Sequence, residues 1–275
     1  MLDVQPRRAA TTTPSIPSSQ WRQVLRELVL VAFLFGAYKI GRLAAAGSHR
    51  EAFHHAQQVW GLERWLQLPS EAGIQRWLVD VPALPHLATM YYAWVHFPAT
   101  VALLVWLYLR DRQLYRRTRT TLALLTGAAL VVHLLYPLAP PRMMTSTGMH
   151  DLSAQYGPHI YGDPATDTFA NQYAAMPSLH VGWALLVAGA LIAAGRTRTR
   201  LLWLLHPAAT LVVVIATGHH FWLDAIVVSV LLLTIHLLLP PARPGGPATV
   251  PPASGRDING VPRQRDGYAA DLLRP

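Results

Sequence analysis

Apolar residues in this chain come in long runs. Leu25–Ala45, Leu84–Leu109, Leu122–Tyr136, Ser178–Ala194, Leu201–Thr217 and Phe221–Leu239 are each dominated by Leu, Val, Ala and aromatic side chains. An α-helix rises about 1.5 Å per residue, so the roughly 30 Å hydrocarbon core of a bilayer takes about 20 residues. The longer runs meet that length alone and the shorter ones with their flanking residues, and the pattern predicts six membrane-spanning helices. Residues 48–82 differ: in SHREAFHHAQQVWGLERWLQLPSEAGIQRWL, charged and aromatic residues recur at helical spacing. That is the pattern of a pair of amphipathic helices lying in the membrane interface.

The remaining segments are polar. Residues 1–20 are rich in Thr, Ser and Pro, and the stretch from Pro240 onward is rich in Pro, Gly and Arg, so both ends are expected to be disordered. A polar loop, 143–176, separates the third and fourth runs and is long enough to be functional rather than a connector. No internal repeat is evident. The first run, flanked by Arg22 and Arg26 and closed by AAAG at 44–47, also has the look of a signal peptide. Its late start and the lack of an exported domain after it favour a retained span. The predicted fold class is all-α: an integral membrane six-helix bundle over residues 21–239, with an interfacial amphipathic segment, a cytoplasmic leader (1–20) and a cytoplasmic tail (240–275).

Composition supports this reading. Of 275 residues, 52% are hydrophobic and only 13% charged, with mean hydropathy +0.25. Cysteine is absent, which excludes disulfides and thiolate chemistry. The net charge of +9 would suit nucleic acid, but no basic patch is interleaved with stacking aromatics, so no nucleic-acid partner is expected. Arginine instead marks connections: Arg110, Arg112, Arg116, Arg117 and Arg119 in one, Arg196, Arg198 and Arg200 in another. The loop from Met143 to Met176 has neither Lys nor Arg. By the positive-inside rule both termini and the basic connections face the cytoplasm of a plasma-membrane protein. Arg50, Arg64 and Arg76 run against the rule and are accompanied by Glu51, Glu63 and Glu71. On this topology YPLAPPR (136–142), the polar loop, AAMPSLH (174–180) and TGHHFWLD (217–224) all lie at the outer face.

Those segments carry candidate chemistry. His220 and Asp224 are four apart, which on a helix puts them about 40° apart in direction and on one face. A carboxylate there can fix the imidazole tautomer and make the other ring nitrogen more basic. His219 is five from Asp224, about 140° round, and cannot pair in this way. Alone, such an HxxxD pair also fits an ordinary helix cap at the interface. PSLH at 177–180 offers Ser178 as a helix cap and the amides of Ser178 and Leu179 as an anion seat, with His180 on the first turn as a general acid. The Arg142 guanidinium suits bidentate binding of phosphate oxygens or lipid headgroups. An oriented histidine, a second histidine, an anion seat and a guanidinium together meet the needs of phosphoryl transfer through a phosphohistidine.

At these residues the chain resembles the type-2 phosphatidic acid phosphatase superfamily. NQYAAMPSLHVGWA (171–184) and TGHHFWLD (217–224), with YPLAPPR ahead of both, look more like its inositol phosphorylceramide synthase branch, the aureobasidin-resistance type. The resemblance covers about residues 25–239. It implies His220 as nucleophile, Asp224 as its orienting partner and His180 as acid and later base, with no metal and no cofactor. It also implies a membrane lipid phosphate as substrate and water or a polyol such as inositol as acceptor. There are departures. VVV at 212–214 stands where the phosphatase branch has a Ser-Arg pair, and PSLH replaces PSGH. Arg142, in PPRM, is the nearby arginine left to clamp phosphate.

Other polar residues have plainer readings. His219 is expected at the pocket rim, with Tyr173 and Asn171 shaping its entrance, and His219 and Tyr173 are expected to contact the substrate. His133 is read as a helix–helix hydrogen-bonding residue that could also support the site. His96, His206 and His236 are read as bundle-interior residues away from the outer face or without a partner. His54 and His55 lack the further ligands a zinc site needs. Asp151, Asp163 and Asp167 are expected to be solvated rather than to bind a polyol. The rival reading, a transporter or scaffold with histidine proton relays, predicts ionisable residues strung along a path through the bilayer, whereas these collect at one depth.

Overall fold

The structure is a computed structural model that describes residues 49–158 and 172–240, together with a few helical positions between Arg22 and Gly36. The leader, most of the first predicted span, Asn171, Asp163, Asp167 and the tail lie outside the described residues.

Within these limits every regular element is helical. The chain forms α1 (His49–Trp65), α2 (Glu71–Val79), α3 (Leu84–Trp94), α4 (His96–Arg110), α5 (Arg112–Leu135), the short α6 (Leu152–Tyr156), α7 (Leu179–Ala194), α8 (Leu205–Ala216) and α9 (Trp222–Leu238). A 3₁₀ segment, Arg198–Leu204, leads into α8. The amphipathic stretch is thus two helices, as its pattern predicts, and Ser70 caps the second by accepting from the Gly73 amide.

The membrane-crossing pattern is coarser than six equal spans. Among the described residues, Arg112–Leu135 and Arg198–Ala216 are long and apolar enough to cross a bilayer. Leu84–Trp94 and His96–Arg110 qualify only as a pair bent by 45°, and Leu179–Ala194 and Trp222–Leu238 are shorter apolar helices. The single span expected over 84–109 is therefore two helices. Pro98 explains the break, because it has no N–H to donate to the Trp94 carbonyl one turn earlier. The third predicted span has the opposite discrepancy: α5 begins ten residues before Leu122. Asp111 accepts from the amides of Gln113 and Leu114 and starts the helix ahead of the arginines. Hydropathy registers only the apolar part of a helix, and the charged turns continue it without a break.

α7 lies at the centre of the bundle and packs against α4, α5, α8 and α9. Its sequence, LHVGWALLVAGALIAA, is apolar all round, as a helix surrounded by others should be. Small residues let its neighbours come close. A Cβ on Gly182 would lie 2.5 Å from Val228 Cγ2 of α9 and 3.1 Å from Leu125 Cδ2 of α5, whereas one on Gly189 would meet nothing within 4 Å. Around this centre, Tyr92, Leu125, Val181, Val214, Ile215, Ala225 and Val228 form one buried cluster.

The two glycines of α7 give a paired test. Gly182→Ala overpacks the three-helix contact and is expected to destabilise the protein by about 1–3 kcal/mol. Gly189→Ala faces open space on the same helix and is expected to be neutral or stabilising by up to about 1 kcal/mol. Thermal unfolding of the two variants in one detergent checks the contrast.

Candidate active site

The turn between α8 and α9 is built on its own backbone. Thr217 caps the end of α8, donating its hydroxyl to the Val213 carbonyl at 2.7 Å. Gly218 follows with φ +77°, a left-handed conformation that glycine adopts without penalty. A Cβ there would also lie 3.0 Å from Arg142 Cβ and 3.3 Å from the His150 carbonyl oxygen. The chain can therefore reverse here and still accept the Arg142 amide on the Gly218 carbonyl at 3.0 Å. Two residues later the turn presents His220.

His220 and Asp224 meet as expected, but not on one helix face: His220 precedes the Phe221 N-cap of α9, and Asp224 reaches back to it from the first turn. His220 Nδ1 lies 3.1 Å from Asp224 Oδ2 and 2.9 Å from the Ala175 carbonyl oxygen. A carbonyl can only accept, so Nδ1 carries the proton and Nε2 keeps its lone pair for chemistry. Asp224 Oδ2 also accepts the Phe221 amide at 2.9 Å, closing the first turn of α9 on itself. Both side chains are buried, Asp224 completely. Burial pushes His220 down to about 3, with the Ala175 carbonyl opposing the shift and the Arg142 guanidinium adding to it, so the imidazole is neutral at physiological pH.

PSLH packs against this turn. Ser178 caps α7 with its side chain toward the Val181 amide, and its own amide donates to the Asp224 carbonyl at 3.1 Å. The Ser178 N–H expected to seat an anion is thus committed to α9. The rings of His180 and His220 lie 5.7 Å apart, centre to centre. His133 of α5 hydrogen-bonds the Pro177 carbonyl through Nε2 at 3.2 Å, so it supports the PSLH segment.

Arg142 is brought to the same place. Its side chain is almost fully buried, with Nε 3.0 Å from Asp151 Oδ2 and Nη2 donating to Gln172 Oε1 at 3.4 Å. Asp151, expected to be solvated, instead pairs with Arg142 and caps α6 through the Ala154 amide at 3.1 Å. His219 stacks on Tyr92 at 4.0 Å, with Nδ1 2.9 Å from the Thr217 hydroxyl oxygen. Burial holds it well below the ordinary histidine value. Tyr173 sits at the edge of the region: its ring packs on His49 and Phe53 of α1, and its carbonyl accepts the Leu138 amide at 2.7 Å.

Three residues escaped the sequence reading. Tyr92 stacks on both His180 (4.5 Å) and His219 (4.0 Å), joining the two motifs. His96, read as distant from the site, lies 4.5 Å from the His180 ring and stacks on Trp183 at 5.0 Å. The bend between α3 and α4 brings it there, and no hydropathy pattern signals that bend. His206, read among the residues lacking a partner, has one in the Tyr91 hydroxyl, 2.7 Å from Nδ1. His55 binds the Pro137 carbonyl at 2.8 Å, and among the described residues no group of His, Asp and Glu is arranged to hold a metal ion.

A family model described as the PAP2 superfamily matches residues 57–238, which span both histidine motifs. No curated protein and no solved structure matches the chain.

Gly218→Ala tests the turn. It forces an L-residue into the left-handed region against the Arg142 backbone and is expected to cost about 1–3 kcal/mol. The measurement is thermal unfolding beside Gly127→Ala, a helical position with open space around its Cβ.

Proposed function

The chain belongs to the PAP2 superfamily, and from that premise we propose that it is a membrane lipid phosphatase or phosphotransferase working through a phosphohistidine. Membership suggests phosphatase or phosphotransferase activity on phosphate esters, and the apolar helices suggest a membrane protein. The observation that carries the finer reading is His220 with Nδ1 held by Asp224 and Ala175 and the His180 ring 5.7 Å away.

In the first step His220 Nε2 attacks phosphorus, an N–P bond forms and the ester P–O bond breaks. His180, protonated for this step, passes its proton to the departing alkoxide. Asp224 stabilises the ring as it gains charge. In the second step His180 takes the proton of an incoming hydroxyl, the oxygen bonds to phosphorus and the N–P bond breaks. The Arg142 guanidinium and the amides at the start of α7 offset the charge on the phosphoryl oxygens. Water as acceptor makes the enzyme a phosphatase, and a polyol such as inositol makes it a transferase. No metal takes part in either step. The donor is a lipid phosphate entering from the outer leaflet, and the site opens on the extracytoplasmic face of the plasma membrane, with both termini cytoplasmic. The arginine-rich connections and the arginine-free loop support that orientation.

The test gives purified protein labelled lipid phosphates and inositol lipids, with and without inositol and chelator. Activity is expected to survive the chelator and to fall by at least about a thousandfold in His220→Ala and by about a hundredfold or more in His180→Ala. Free phosphate identifies a phosphatase, and a new phosphorylated product identifies a transferase. An acid-labile, base-stable label on the wild type but not on His220→Ala is the intermediate. The reading fails if both histidine variants match wild type.

A further inference from the structure

The α1–α2 hairpin has the residues of an amphipathic surface anchor but buries an unexpected face. Trp65 and Trp77 are 77% and 60% exposed, while Glu63, Glu71 and Gln75 are at most 3% exposed. Glu63 follows Ala52, Ala56 and Val59 along the buried stripe of α1, where a fourth apolar residue would be expected. A carboxyl in such a place is costly to bury unless it is bonded.

Its bond is to the helix that carries Asp224. Glu63 Oε1 accepts the Leu223 amide at 2.7 Å, in the first turn of α9 and next to Asp224. Gln75 grips the other end of the turn. Its Nε2 donates to the carbonyls of Ala216 and His150, both at 2.9 Å, and its Oε1 accepts the His150 amide at 2.8 Å. Ala216 ends α8 four residues before His220, and His150 precedes the Asp151 that holds Arg142. Trp222 adds a bond from its indole N–H to the Pro69 carbonyl at 2.8 Å, in the link between α1 and α2. The hairpin thus holds the catalytic turn by its backbone on both sides.

We infer that Glu63 and Gln75 are positioning residues, which fix residues 216–224 so that His220 and Asp224 meet in reacting geometry. The inference rests on the function proposed above for that pair. Glu63 faces Glu71 of α2 and lies close to Asp224 of α9, while Arg64 of its own helix pairs with Glu71 at 3.0 Å. Burial first, and then the Glu71 carboxyl, push Glu63 up to about 9, so it is neutral at physiological pH. Glutamine is the isostere of that neutral form. A raised carboxyl value means that the folded protein keeps a proton the unfolded chain releases. The stabilisation this gives is complete below about pH 4.5 and is lost as pH rises toward about 9.

The experiment compares wild type, Glu63→Gln, Glu63→Ala and Gln75→Ala as full chains in one detergent, reading amide hydrogen exchange and kinetics on the lipid phosphate. Glu63→Gln is expected to keep kcat and exchange within about twofold of wild type and to retain activity above pH 9, where wild type declines. Glu63→Ala is expected to speed exchange across residues 221–224 by about fivefold, as loss of a helix cap does. Its kcat is expected to fall by about ten- to a hundredfold with KM within about twofold, because small misplacements of reacting groups weigh on kcat. Gln75→Ala should speed exchange at 216–220 with a similar kinetic split. Should the alanine variant of Glu63 not fold, Glu63→Asp, which draws the carboxyl back by one methylene, is expected to give the same result. Exchange and kcat unchanged in Glu63→Ala overturn the inference, and so does a Glu63→Gln as impaired as alanine. If wild type turns over no phosphate ester, the proposed function falls, while the exchange data still decide whether the hairpin holds the turn.

Discussion

The carboxylate of Asp224 lies in the interior with no exposure to solvent. A charge or dipole in such a place is costly to bury without donors; the local structure supplies them to Oδ2, while Oδ1 has no hydrogen-bond partner among the described residues. One oxygen takes the Phe221 amide and the His220 imidazole together. The Asp224 carbonyl takes the Ser178 amide from the start of α7. The Ala175 carbonyl, three residues before Ser178, accepts from the same His220 Nδ1 that faces Asp224. The two histidine motifs therefore share a hydrogen-bond network, and neither can shift without the other.

Neighbouring parts then hold this network from outside. The short parallel bridge between Leu138 and Ala174 ties YPLAPPR to the segment leading into PSLH. His55 and His133 bind the carbonyls of Pro137 and Pro177. Proline has no N–H of its own, and the carbonyls around it find few backbone partners in helical packing. Histidine side chains from α1 and α5 fill that need. These two histidines thus serve backbone groups left open where the chain is not helical.

Much of this was legible from residue types and spacing. Apolar runs mark where α3, α4, α5, α7, α8 and α9 fall, because burial in lipid or in the bundle requires the same side chains. The four-residue spacing of His220 and Asp224 singles out the histidine of the adjacent pair that meets the aspartate. Less legible were the break at Pro98, the basic extension of α5 and the reversed polarity of α1. In each case the residue types fit two arrangements. A proline in an apolar run is tolerated or breaks the helix, an arginine ends a span or continues its helix, and a glutamate on an amphipathic helix faces water or a partner. His96 and Tyr92 were missed for a related reason: nothing local to them indicates the histidine they touch.

The amino-acid sequence by itself determined the helical class, the apolar runs and the chemistry available at two short motifs, because helical periodicity and local hydrogen bonding act over a few residues. Only the tertiary structure decided what those motifs meet. The bend at Val95 carries His96 to His180, the close approach at Gly182 sets α7 against α9, and the α1–α2 hairpin turns Glu63 and Gln75 inward onto the turn that carries His220 and Asp224. These contacts join residues more than 40 positions apart. They depend on which helix faces fit together and on which open backbone groups need a donor or acceptor, and neither is encoded in any one segment.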